Sequence, residues 1–158
     1  GKEDVLWNAV LADKRVCPTG LGVRDVLRIE VCYPLYGHEL AEDITPAEAG
    51  LSRFVDMQKD FIGKDALAAG PRRKIIHFVS ESRRAPRQGH GIWLKDGTLI
   101  GEVASGTFSP SLGLGVGIGF IKKEFTATAK DIIFGDEKLK LGAQAASRPF
   151  YKAGSLKN

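Results

Sequence analysis

Cysteine is nearly absent. Cys17 and Cys32 are the only two in 158 residues and form no CxxC pattern, so no disulfide framework organises the chain and the pair suits a reducing compartment. Histidine is almost as scarce. His38, His77 and His90 lie far apart with no HExxH or other ligand spacing, which argues against a metal site. His77 falls inside a strand pattern, the place of a packed residue. No apolar run approaches bilayer-spanning length, so no membrane partner is expected. A GxxxxGK[ST] loop, a GxGxxG between strand and helix, a GxSxG elbow and a plausible Cys/His pairing are all missing. That removes the phosphate-loop and nucleophilic-hydrolase readings. There is no low-complexity segment and no internal repeat.

What is present is the composition of a soluble globular protein. Hydrophobic residues make up 43% and charged residues 27%, enough for one ordinary domain or two small ones with a real core. The net charge of +4 is modest and spread over mixed-sign segments. Its densest basic positions are Arg72–Lys74, Arg83, Arg84 and Arg87, which could steer an acidic partner. No aromatic platform is interleaved with them, so nucleic acid is not an expected partner.

The most informative stretch is Thr19–Gly37. Gly20 and Gly22 bracket Leu21 as a flexible turn in which backbone can approach a partner closely. Arg24, Asp25, Arg28 and Glu30 then alternate with Val23, Val26, Leu27, Ile29 and Val31. As a helix this places Arg24 and Arg28 on one face, with Asp25 in reach of Arg28 at i+3 and an apolar side to anchor in a core. Such a segment holds a guanidinium fork rigidly towards an anion. A solvated amphipathic helix with an internal salt bridge has the same pattern.

Lys2–Lys14 predicts a helix with Val5, Leu6, Ala9 and Val10 at helical spacing, acidic early and basic late. Its apolar face needs cover, so the chain reads as starting inside a domain, with that face raw if nothing covers it. Glu39, Glu42 and Asp43 form an acidic cluster in a loop, most simply solvated. Thr45-Pro46-Ala47-Glu48 predicts a helix start or turn, Leu51–Asp56 a short strand, and Asp60–Ala69 a helix capped by Asp60. From Arg73 the pattern becomes short strands: Lys74–Val79, Ile92–Leu94, Thr98–Val103, Val116–Ile121, Asp131–Phe134 and Lys138–Leu141. Asp96-Gly97 is a strong hairpin signal between the second and third. Gly113, Gly115, Gly117 and Gly119 recur at period two, baring one strand face either for a ligand or for a tight barrel corner. The expected fold is α+β: residues 1–72 as the C-terminal part of an α/β domain, and residues 73–158 as a small antiparallel β-barrel.

Six motifs in order, GLGVRDVLRIE, YPLYGHEL, DITPAEAGL, DFIGKDAL, EVASGTFSPSLG and RPFYK, strongly resemble the glycine cleavage system T-protein family, the aminomethyltransferases. The likeness runs from about Leu6 onward and covers only the C-terminal portion of that family, less than half of a typical member. It implies a folate-binding domain whose tail is residues 1–72. The implied reaction passes a methylene group from the aminomethyl-lipoyl arm of H-protein to tetrahydrofolate. Ammonia is released and 5,10-methylenetetrahydrofolate forms, with no metal. The family's folate-binding arginine falls on Arg24, with Arg28 and Asp25 behind it and Arg28 paired to Asp25 or Glu30. A basic residue near the terminal aromatic motif falls nearest Lys152, with Tyr36 and Tyr151 as neighbours. The family's catalytic aspartate lies upstream of Gly1, so this chain alone is expected to be inactive and to need the N-terminal half of the enzyme. Cytoplasm in a bacterium, or mitochondrial matrix in a eukaryote, is the implied compartment. EAGLSRFV and DFIGKDAL would equally fit the folate-binding domains of dimethylglycine and sarcosine dehydrogenases, whereas YPLYGHEL and SGTFSPSLG look closer to the T-protein; a non-catalytic folate-binding module is a further alternative.

Overall fold

The strands from Arg73 onward close on themselves. The computed structural model describes residues 1–154. In it β1 (Arg73–Ser80), β2 (Gly91–Trp93), β3 (Leu99–Ser109), β4 (Leu114–Lys122), β5 (Asp131–Gly135) and β6 (Lys140–Ala145) form an antiparallel barrel. Their order is β1-β4-β3-β2-β5-β6, with β6 returning to pair with β1. The hairpin stands where Asp96-Gly97 puts it: Gly97 takes φ +89°, and Trp93 pairs with Leu99 across the turn.

Alternation along the strands fills the barrel. Ile76 and Phe78 of β1, Ile92, Ile100, Val103, Ile121, Ile132 and Phe134 make the interior cluster. Val116 and Ile118 of β4 point the other way, joining Ile29 and Phe150 in a second cluster on the outer wall. The β4 glycines therefore face inward, at positions where the barrel's own residues fill the space. A Cβ on Gly117 would meet the Phe78 ring, and one on Gly119 would meet Ile92 and the Glu102 carbonyl. The period-two glycines thus serve packing rather than a ligand, and Gly113 sits in the turn before β4 with φ +71°. His77 is packed as expected, edge-on to Phe150.

Before the barrel come α1 (Lys2–Leu11), α2 (Leu21–Glu30) and the short α3 (Lys64–Ala68). Val5, Leu6, Trp7 and Val10 of α1 are exposed, the raw apolar face expected of an uncovered helix. Leu51–Asp56 is not a strand. Ser52–Phe54 is a 3₁₀ turn whose flanking N–H groups bond locally, because a closed barrel leaves no edge for it to join. Thr45–Glu48 is a turn closed by the Glu48 carboxylate, which accepts the Thr45 N–H and hydroxyl and the Arg72 N–H. Burial works to raise that carboxyl, but these hydrogen bonds and nearby Arg73 hold it below its ordinary range. Asp60 does not cap α3, which begins behind Gly63 at φ +87°.

Candidate functional site around α2

The barrel covers only the last turn of α2. Arg28, Ile29 and Glu30 are buried there, while Leu21, Val23 and Leu27 remain exposed. The anchored side of the helix is therefore largely the charged one, the reverse of the apolar anchor expected from the sequence. Gly22 lies within the helix rather than in a turn.

Burial obliges Arg28 to find partners for its fork. Its Nε donates to Asp25 Oδ1 at 2.8 Å, as the i+3 spacing predicts. Nη1 donates to Glu39 Oε2 at 2.7 Å and Nη2 to Ser105 Oγ at 2.8 Å. Glu39 is completely buried and also accepts the Leu35 N–H, so it is no solvated loop acid. Glu42 and Asp43 are exposed, Asp43 pairing with Arg73. Ser105 follows a bulge in β3, where the register with β4 shifts between Val103 and Ser105. His38 grips the same bulge: its Nδ1 lies 3.0 Å from the Ala104 carbonyl, which can only accept, so the proton is on Nδ1.

Glu30 does not pair with Arg28. Its carboxylate accepts the Ser109 hydroxyl, the Ser111 N–H at 3.2 Å and the Ser111 hydroxyl at 3.0 Å, while its carbonyl accepts the Tyr151 N–H at 2.9 Å. Nothing in local spacing marks Glu30 or Glu39, since these partners come from other segments of the chain.

Beside α2 these contacts leave an open groove of about 900 Å³. Val23, Leu27, Val31 and Tyr33 give it an apolar side, and Ser111 and Tyr151 belong to the other walls. Arg24 also lines it, exposed and, among the described residues, without a hydrogen bond or ion pair. Arg24, Arg28 and Tyr151 are thus brought to one groove. Asp25 supports it from behind through Arg28. Lys152 does not line it and holds its ammonium 3.3 Å from Ser147 Oγ. Tyr36 is exposed away from it. A smaller hollow of about 530 Å³ near Trp93 is walled by exposed Asp136, Glu137 and Lys140 and has no buried polar side chain. Among the described residues no His, Cys, Asp and Glu cluster is arranged for a metal, and no helix is long and apolar enough to cross a membrane.

Residues 73–152 match the glycine cleavage T-protein C-terminal barrel domain. The chain belongs to the glycine cleavage T-protein family. Residues 2–59 match the family's N-terminal domain as well. The aminomethyltransferase of Alkaliphilus oremlandii is 40% identical over 164 residues, which cover 99% of this chain and 44% of that protein. The aminomethyltransferase of Natranaerobius thermophilus is 45% identical over 143 residues, 87% of this chain and 39% of that one. The crystal structure of the glycine cleavage system aminomethyltransferase T from Bartonella henselae superposes with a TM-score of 0.83 at 28% identity, covering 94% of this chain and 43% of its own. The chain therefore spans less than half the length of these T-protein relatives.

Proposed function

We propose that the groove beside α2 forms part of the tetrahydrofolate site of an aminomethyltransferase, with Arg24 as a direct folate ligand. The observation that carries this is an unpaired guanidinium on the wall of a half-apolar groove in a T-protein chain. About 900 Å³ is ample for a flat ligand of folate size, and an apolar face with few polar groups is what such a ligand needs. Arg24 offers a planar fork to a carboxylate or to a polar ring edge, and no acid among the described residues pairs with it. Lys152, bonded to Ser147 and outside the groove lining, is the second basic ligand in this reading.

In this reading tetrahydrofolate accepts a methylene group from the aminomethyl-lipoyl arm of H-protein, with release of ammonia. The residues here bind and orient. Asp25 is committed to Arg28, and Glu30 to Ser109 and Ser111, so neither carboxylate beside the groove is free to move a proton. The 158 residues by themselves are then inactive in aminomethyl transfer, and the catalytic carboxylate comes from the N-terminal half of the enzyme. That half also covers the exposed Val5, Leu6, Trp7 and Val10 of α1.

The test is calorimetric titration of tetrahydrofolate into the full-length protein carrying Arg24→Lys. Lysine keeps the charge and loses the fork, so affinity should fall about tenfold, worth about 1.4 kcal/mol. Unchanged affinity in Arg24→Lys and Arg24→Ala would remove Arg24 from the site.

A further inference from the structure

We infer that Glu30 is a positioning residue, a buried carboxylate that ties the β3–β4 wall of the groove to the last turn of α2. Only the identity of the ligand rests on the folate reading above. Glu30 is 3% exposed and stands at the C-terminal end of its helix, where the macrodipole disfavours an anion. Among the described residues no cation lies within salt-bridge distance to offset that placement. Burying a carboxylate there carries a desolvation cost.

The cost is offset by what Glu30 holds. Oε1 accepts both the Ser109 hydroxyl and the Ser111 N–H, and Oε2 accepts the Ser111 hydroxyl. Ser109 Oγ in turn accepts the Leu112 N–H at 3.1 Å, so the whole turn between β3 and β4 is organised from this one carboxylate. The Glu30 carbonyl takes the Tyr151 N–H and so fixes the C-terminal segment. Ser111 and Tyr151 both line the groove that Arg24 lines. Three segments distant in sequence therefore meet at one residue, the β3–β4 turn through its carboxylate and the C-terminal segment through its backbone carbonyl.

Glutamine should do nearly the same work. Its amide oxygen keeps the two bonds at the Oε1 position, and its NH₂ can donate to the Ser111 hydroxyl, which then acts as acceptor. Alanine loses all three side-chain bonds.

The experiment uses the full-length protein with Glu30→Gln, Glu30→Ala and Ser111→Ala. It measures tetrahydrofolate affinity, KM against kcat for aminomethyl transfer, and amide exchange at Ser111 and Tyr151. Glu30→Ala is expected to raise Kd and KM about tenfold with kcat nearly unchanged and with faster exchange at Ser111, the Tyr151 amide on the backbone carbonyl serving as the unchanged reference, while Glu30→Gln stays within about threefold of wild type. Wild-type affinity in Glu30→Ala overturns the inference, as does a Glu30→Gln as impaired as Glu30→Ala. Should Glu30→Ala fail to fold, Ser111→Ala decides: about threefold weaker binding supports the role and unchanged binding overturns it. If the wild-type protein binds no tetrahydrofolate, the folate reading falls. The tie is then judged by exchange alone, upheld by faster exchange at Ser111 and overturned by retained protection there.

Discussion

Arg28 Nη1 donates to Glu39 Oε2 across 2.7 Å in a place that excludes water from both, with Arg28 8% and Glu39 0% exposed. The pair bolts α2 to the turn after Leu35, and the same guanidinium reaches Ser105 on β3. The other Glu39 oxygen, Oε1, is buried with no partner among the described residues, so its solvation is not replaced.

Removing one partner should therefore cost more than removing both. Glu39→Ala leaves Nη1 of the buried guanidinium without its carboxylate acceptor and half-exposed Asp25 as the remaining counter-charge, and should destabilise by about 2–4 kcal/mol in urea unfolding. Arg28→Met with Glu39→Leu should lose clearly less than Glu39→Ala. A double variant as unstable as the single would show that the ion pair itself carries the stability.

Stability should fall in mild acid through His77. Burial, aided by the positive charge of Arg148, pushes its imidazole from an ordinary 6.5 down to about 4. Between those values the unfolded chain takes up a proton that the native state refuses. The contribution is whole above pH 6.5 and is lost as pH falls through 4. At about 1.4 kcal/mol per pH unit, the loss reaches roughly 3 kcal/mol by pH 4. His77→Phe should flatten that part of the profile of unfolding free energy against pH.

The two thiols should react very differently. Burial pushes Cys32 up to about 11 despite a hydrogen bond from the Phe150 backbone, whereas Cys17 is exposed. Alkylation at pH 8 followed by mass mapping should label Cys17 in the native protein and Cys32 only after unfolding. Equal labelling rates would mean that the packing of Cys32 beside Ile29 and Phe150 opens readily.

Two glycines should respond in opposite directions to alanine. Gly117 faces the Phe78 ring, so Gly117→Ala overpacks the barrel and should cost about 1–3 kcal/mol. Gly22 lies in α2 with open space where an added methyl would sit, so Gly22→Ala should stabilise the ligand-free protein by about 0.5–1 kcal/mol. Thermal unfolding reads both.

Local pattern alone determined much of this protein. β-branched runs, Asp96-Gly97 and the helical spacing of α1 and α2 set the elements, because each depends on neighbours within a few residues. Six ordered motifs set the family. Local pattern failed where an element had no partner, as at Leu51–Asp56, or where Gly63 at φ +87° blocked a longer helix. Tertiary structure decided which face of α2 is buried. Arg28 meets Ser105 77 residues away, and Glu30 meets Ser109 79 residues away, so neither burial is visible in periodicity. It also decided that the β4 glycines admit Phe78 and Ile92 rather than a ligand, and that Glu39 is buried against Arg28 rather than solvated. A charged side chain looks like surface in sequence because water is its default partner. Only the closed barrel, by excluding water and supplying hydroxyls and a counter-charge at fixed distances, turns it into an anchor.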